Sequence, residues 1–226
     1  MKDAPVLVCN VGIGDGLVLS GAAIKLAKIH GGLQFPCTPK NKPTIDSVFV
    51  NYPQIKVFTV DNSEKLAAKY SNSVLNCYWK RLEGVMEPTT DWPVWMYQQL
   101  SVPFQHRWTS CPIEEAANKI DQFDQFYPIV IHDDPDRGFQ IDLERVENYS
   151  HDQAAYIVDN PDYPSVLSYV ELLRQAQQIH VMDSWVFHLV ESIWGVKAQL
   201  FFHTYVRQHH PVWHNFSTRY NWIKLI

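Results

Sequence analysis

Residues 6–16 read Val6-Leu7-Val8-Cys9-Asn10-Val11-Gly12-Ile13-Gly14-Asp15-Gly16. Val6 to Cys9 is a short apolar run of the kind that forms a buried strand, and the glycine-bearing segment after it is a turn. From Leu17 to Ile29 apolar residues recur at helical spacing, and Gly31-Gly32 stops the helix. Strand, glycine turn and helix in that order open a parallel α/β sheet. Further strands are expected at Leu33–Cys37, Ile55–Val60 and Val74–Trp79, with a helix around Thr44–Tyr52. The stretch from Trp92 to Phe126 reads as mostly helical, with Pro93 and Pro112 at helix starts.

The same alternation then restarts. Tyr127–Ile131, Ala155–Val158, Ile179–Met182 and Lys197–Phe202 read as strands, and Pro164–Gln177 and Asp183–Trp194 as helices. Two successive units of about 100 residues each match ordinary domain sizes. The fold expected is therefore α/β, with two Rossmann-like halves facing a cleft, residues 1–125 and 126–210, followed by a tail of residues 211–226.

Composition bounds the function. The 226 residues are 46% hydrophobic and 13% aromatic, which excludes a mainly disordered chain. No apolar run approaches the about 18 residues of a transmembrane helix, and Met1-Lys2-Asp3-Ala4-Pro5 leads into too few apolar residues for a signal-peptide core. With a formal charge of -5 and no basic stretch, a nucleic-acid partner is not expected. Cys9, Cys37, Cys77 and Cys111 are widely spaced and contain no C-x-x-C pair, so they read as reduced thiols of a cytoplasmic protein. Eight Trp and eleven Tyr supply flat faces suited to sugar rings and nucleobases, or simply an aromatic core.

Three loops carry candidate chemistry. Gly12-x-Gly14-x-Gly16 lets backbone N–H groups approach an anion. It is not the dinucleotide fingerprint, because position 17 is Leu and no acidic residue occurs between Asp15 and Asp46. Asp15 on that loop is either a helix cap or a reactive carboxylate. The second loop, His132-Asp133-Asp134-Pro135-Asp136-Arg137-Gly138, offers Arg137 to a phosphate or to the neighbouring carboxylates Asp134 and Asp136. Asp134-x-Asp136 also fits the metal-binding pattern of some nucleotide-sugar enzymes. The third loop is Met182-Asp183-Ser184-Trp185-Val186-Phe187-His188, where a strand turns straight into a helix. Asp183 or Ser184 would cap it, its first-turn N–H groups suit an anion, and His188 lies one turn beyond Ser184. His203, His209, His210 and His214 lack a metal-binding frame and read as surface or core-edge residues.

Gly12-Ile13-Gly14-Asp15, together with Ile179-His180-Val181-Met182-Asp183-Ser184 and His188-Leu189, resembles the heptosyltransferase-like group of GT-B glycosyltransferases. Ile131-His132-Asp133-Asp134-x-x-Arg137-Gly138 is similar to short bacterial and large-DNA-virus members of that class. The resemblance implies an inverting, metal-independent transferase that needs no cofactor beyond its nucleoside-diphosphate-sugar co-substrate. Asp15 would be the catalytic base. Gly14, His132, Arg137, Gly138, Asp183, Ser184, Trp185 and His188 would bind the donor. UDP is the nucleotide favoured, with a deoxyhexose such as rhamnose, and the acceptor is a glycan hydroxyl. The tail of residues 211–226, with Trp213, Phe216, Tyr220, Trp222 and Ile223 needing burial, is expected to pack back on the first half. The alternatives are a non-catalytic nucleotide- or sugar-binding module and a metal-dependent Asp-x-Asp glycosyltransferase.

Overall fold

The computed structural model describes residues 4–78, 91–157, 165–207 and 216–226. The chain is mixed α/β with parallel sheets. In the first half α1 (Ile13–His30), β1 (Leu33–Cys37), α2 (Lys42–Val48), β2 (Ile55–Thr59) and α3 (Ser63–Lys69) follow one another. Three helices come next, α4 (Trp92–Gln99), α5 (His106–Thr109) and α6 (Ile113–Ala117). The second half contains β3 (Ile129–His132), β4 (Ala154–Tyr156), α7 (Val170–Gln175), β5 (Gln178–Val181), α8 (Trp185–Ser192), β6 (Gln199–His203) and β7 (Trp222–Leu225). The helix expected from Pro164 begins as a 3-10 turn, Val166–Tyr169, before α7; Pro164 itself, with Trp79 and Val158, lies outside the described residues.

β1 and β2 pair in parallel, from Leu33 opposite Ile55 to Cys37 opposite Thr59. The opening run is narrower than the strand expected of it: Val6 bridges Gln34 and Val8 bridges Asn76, both in parallel. The Leu7 N–H donates to the Gln34 carbonyl at 3.0 Å, and the Cys77 N–H to the Val8 carbonyl at 2.8 Å. Across this layer the segments therefore run 75–77, 6–8, β1, β2. The second sheet has the order β4-β3-β5-β6-β7, all pairs parallel. In each layer the first segment of the half has later ones on both sides, so the connections reverse direction there. Crevices for ligands in α/β proteins form outside the carboxyl ends of strands at such switch points. These points are residues 9–15 in the first half, and His132 with residues 182–185 in the second.

α1 explains how the layers meet. Nearly every residue from Gly16 to Ala27 is buried, as expected of a helix apolar on all sides. It lies against β1, α4, α5 and α8, and one hydrophobic cluster runs from Leu7 through α1 and α8 to Phe202. Its contact with α5 needs a glycine, since a Cβ on Gly21 would sit 2.0 Å from the His106 carbonyl oxygen. Beside it the Tyr97 hydroxyl, fully buried, accepts from the Ala22 N–H at 3.2 Å and donates to the Val18 carbonyl at 2.9 Å.

The tail, expected from the sequence to pack back on the first half, reaches both halves. β7 extends the second sheet, with Leu200 opposite Trp222. The β6 edge is thereby paired rather than left open. Phe216 and Trp222 pack on Phe187, with centroids 5.1 and 4.9 Å away, and the Trp222 indole donates to buried Glu191 at 2.7 Å. The tail also touches the first half, through the Ser217 N–H on Asp91 and the Arg219 guanidinium 5.9 Å from the Trp108 ring. Trp213, His209, His210 and His214 lie outside the described residues. Among those described, no helix is long and apolar enough to cross a membrane.

Candidate functional site

The two switch points face each other because α1 and α8 pack at their N-terminal ends. Gly14 is the point of contact: a Cβ there would lie 2.9 Å from His188 Cδ2 and 3.5 Å from the Trp185 Cα. The glycine loop brings the halves together here, and any side chain would push them apart. Neither helix has a side-chain cap. Gly12, the N-cap of α1, cannot supply one. Ser184, the N-cap of α8, has the extended backbone of a cap, yet its buried hydroxyl makes no hydrogen bond among the described residues. A capping serine ordinarily accepts from the N–H two or three residues on. The first-turn N–H groups have no acceptor within the helix, so two positive helix ends meet with local demand for negative charge.

Asp15 stands at this junction, ringed by protein but retaining partial solvent access. Its Oδ1 accepts from the Trp92 indole N–H at 3.2 Å, and its Oδ2 overlies Gly12. Burial raises its carboxyl to about 6, overriding the hydrogen bonds from Trp92 and Asn10 that favour the charge. Asp183, at the end of β5, is buried and likewise raised to about 6, first by burial, while Arg207 pulls it down and the Asp15 charge pushes it up. Arg207 Nη1 donates to the Asp183 carbonyl at 2.8 Å and contacts Oδ2 at 3.4 Å, whereas its buried Nε has no partner among the described residues.

His132 ends β3, buried, with Nδ1 2.8 Å from the Ile157 carbonyl, which only accepts, so Nδ1 carries the proton. Its ring is 5.0 Å from Trp185, and Trp185 in turn is 6.3 Å from Tyr169. His188 is buried on α8, its Nδ1 3.3 Å from Arg107 Nη2. Gly14, Asp15, His132, Asp183, Ser184, Trp185 and His188 are thus brought to one place.

Arg137 and Gly138 have more local roles than expected. Arg137 is exposed and pairs with Asp134, three residues back, across the 3-10 turn Pro135–Arg137. That pairing overcomes burial and holds the Asp134 carboxyl below its usual range. Arg137 still exerts its charge on Asp183. Gly138 closes the turn with φ 78°, a conformation that side chains other than glycine's rarely adopt. The Asp134 carboxylate of the Asp-x-Asp pair is thus engaged by Arg137; the Asp136 side chain lies outside what is described. Among the described residues no group of three or more His, Cys, Asp or Glu is arranged to hold a metal ion.

Trp92, Arg107 and Arg207 were missed by sequence reasoning. Trp92 follows the N-cap Asp91 and precedes Pro93, a helix-start signal without any hint of a carboxylate partner 77 residues away. The two arginines lie outside the three loops. A separate concavity of about 250 Å³, lined by Phe187, Phe202, Phe216, Tyr220, Trp222 and Lys224 among others, includes none of the sequence-predicted site residues. No protein-family model, curated protein or solved structure matches the chain.

Proposed function

We propose that the chain is a GT-B-type, inverting and metal-independent glycosyltransferase that moves a sugar from a nucleoside diphosphate to a glycan hydroxyl. The observation that carries the reading is the meeting of two uncapped helix N-termini, α1 and α8, with the desolvated Asp15 carboxylate at the junction. An anion seated on the first turn of α8 satisfies N–H groups that the fold leaves open, along with the Ser184 hydroxyl. Arg207 and Arg137 add positive charge on the same side. These features suit a diphosphate, and the Trp185 and His132 rings beside it suit a flat base or sugar face. UDP as the nucleotide and rhamnose as the sugar rest on the family resemblance alone.

The chemistry follows from these positions. An acceptor hydroxyl approaches from the Asp15 side and attacks the anomeric carbon. The new C–O bond forms as the bond to the diphosphate oxygen breaks, and the carbon inverts. Asp15 takes the hydroxyl proton, its burial having raised its basicity. The diphosphate leaves with the bonding pair, and helix N–H groups and arginine charge stabilise it without a metal.

The test is release of UDP from a panel of UDP-sugars, with and without a chelator, in wild type and Asp15→Asn. Turnover is expected to survive the chelator and to rise with pH through about 6, as Asp15 ionises. Asp15→Asn should lower it by about a hundredfold or more while nucleotide binding persists. Nucleotide binding without turnover in wild type would favour a non-catalytic binding module, and loss of activity with chelator would favour metal-dependent transfer.

A further inference from the structure

Arg107 is the most unusual charged residue in the fold. It sits on the short helix α5 with its side chain fully buried, between α1 and α8. Burial lowers its pKa, with Glu191 the leading counter-influence, yet a guanidinium stays charged in a protein. Among the described residues it makes no salt bridge to a carboxylate and Nε and Nη1 make no hydrogen bond, and the Phe104 and Trp108 rings each lie 5.9 Å from its Cζ. Its one side-chain hydrogen bond among the described residues joins Nη2 to His188 Nδ1, at 3.3 Å.

That contact has a direction. Arginine has donors and no acceptor, so His188 Nδ1 must offer its lone pair. Burial first, and the Arg107 charge second, hold the imidazole well below its usual pKa, so the ring is neutral and its single proton lies on Nε2. The opposite edge of the same ring lies against Gly14, with Nε2 3.8 Å from a Cβ built there. Nε2 has no hydrogen-bond partner among the described residues. A side chain more than nine-tenths buried thus presents an unused donor where the two helix N-termini meet, one helical turn from Ser184, whose hydroxyl is also unpartnered among the described residues.

We propose that Arg107 is a positioning residue that locks His188 in the Nε2–H tautomer, so that a neutral imidazole donates a hydrogen bond to a phosphate oxygen of the ligand at the α1–α8 junction. This rests on the proposed function for the identity of the ligand, but the tautomer itself does not. The cost of burying an arginine without a carboxylate contact then has a functional counterpart. Without Arg107, Nδ1 could take the proton and leave a lone pair facing the incoming phosphate, turning attraction into repulsion.

The test is the long-range ¹H–¹⁵N correlation spectrum of the histidine-labelled chain, with the His188 signals assigned through His188→Gln. Wild type should show a protonated Nε2 and a bare Nδ1. Arg107→Lys, which keeps a donor, should preserve that pattern. Arg107→Met should populate the other tautomer and weaken UDP and pyrophosphate binding about tenfold, the order expected for one charge-assisted or well-oriented contact. A protonated Nδ1 in wild type overturns the proposal, even if the Met variant fails to fold. So does an unchanged tautomer in Arg107→Met, or unchanged binding after the tautomer has moved. If the tautomers behave as stated but wild type binds neither UDP nor pyrophosphate, Arg107 sets the tautomer, while the phosphate contact and the transferase reading are both overturned.

Discussion

Asp15 is ionised at neutral pH at an energetic cost. Its folded-state carboxyl titrates near 6, above the unfolded value near 4, so the folded chain binds that proton more tightly. The associated stability is present at low pH and is lost as pH rises through about 6. At pH 7 the penalty is up to about 3 kcal/mol, two units at about 1.4 kcal/mol each. Asn keeps an acceptor for the Trp92 indole and removes the charge, losing a helix-end interaction of only about 0.3–1 kcal/mol. Asp15→Asn should therefore be as stable as wild type at pH 7, or up to about 2 kcal/mol more stable, and should give up about 1 kcal/mol of that difference by pH 5. Denaturant unfolding at the two pH values measures this, and a clear loss of stability at pH 7 would identify Asp15 as a structural cap. Gly14, Asp15, Asp183 and Ser184 were legible from sequence because each follows a strand, where the sheet itself delivers them to one edge. Trp92 and Arg107 were not, since their partners are 77 and 81 residues away and only packing selects them.

At the scale of elements, α1 imposes the tightest constraint. Gly21→Ala places a methyl 2.0 Å from the His106 backbone oxygen, and the helix-propensity gain of about 1 kcal/mol cannot offset that overlap. The variant should lose about 2–3 kcal/mol. Gly16→Ala meets only the flexible Ile45 Cδ1 tip and should change stability by less than about 1 kcal/mol. Equal stability of the two variants would contradict this packing.

The β5–β6 pair carries a second constraint. Gln178 Oε1 accepts from His180 Nε2, His180 Nδ1 accepts from His203 Nε2, and His203 Nδ1 accepts from the Tyr205 hydroxyl, which itself accepts from the Asp142 N–H. Each neutral ring uses one donor and one acceptor, so a further proton breaks the chain. Burial, aided by His203, lowers His180 to about 3; burial and Arg145, opposed by Asp142, lower His203 to about 4. Both lie below the unfolded value of 6.5, so their contribution is complete above pH 6.5 and fades as pH falls towards 4. At pH 5 the loss is up to about 2 kcal/mol per histidine. Because Asp15 and Asp183 act in the opposite sense, the informative quantity is wild type minus His180→Leu/His203→Leu. That difference should fall between pH 7.5 and 5, and parallel curves would contradict it. Leu33–Cys37 was readable to the residue from its apolar run. β7 was not, because Trp222-Ile223-Lys224-Leu225 is a short run whose partner, β6, lies about twenty residues earlier and whose burial is only partial.

At the scale of the whole molecule, one apolar cluster links the two sheets through α1 and α8, so the halves should unfold together. Tryptophan fluorescence and far-UV circular dichroism should give coincident urea transitions, whereas two separated transitions would show independently stable halves. The alternation of strands and helices made the parallel α/β class readable. The depth of the α1–α8 contact was not, because it depends on Gly14 and Gly21 admitting a neighbour's atoms, which no periodicity reports. That contact makes the junction, and the junction is where the ligand is expected. The most direct test is calorimetric titration of the wild-type chain with UDP, GDP, ADP and dTDP and with the corresponding nucleosides. At least one diphosphate should bind at least about tenfold more tightly than its nucleoside, the loss expected when phosphate contacts at a helix end and to arginine are removed. Binding of none of the diphosphates, or nucleosides binding as tightly as their diphosphates, would contradict a diphosphate site where α1 meets α8.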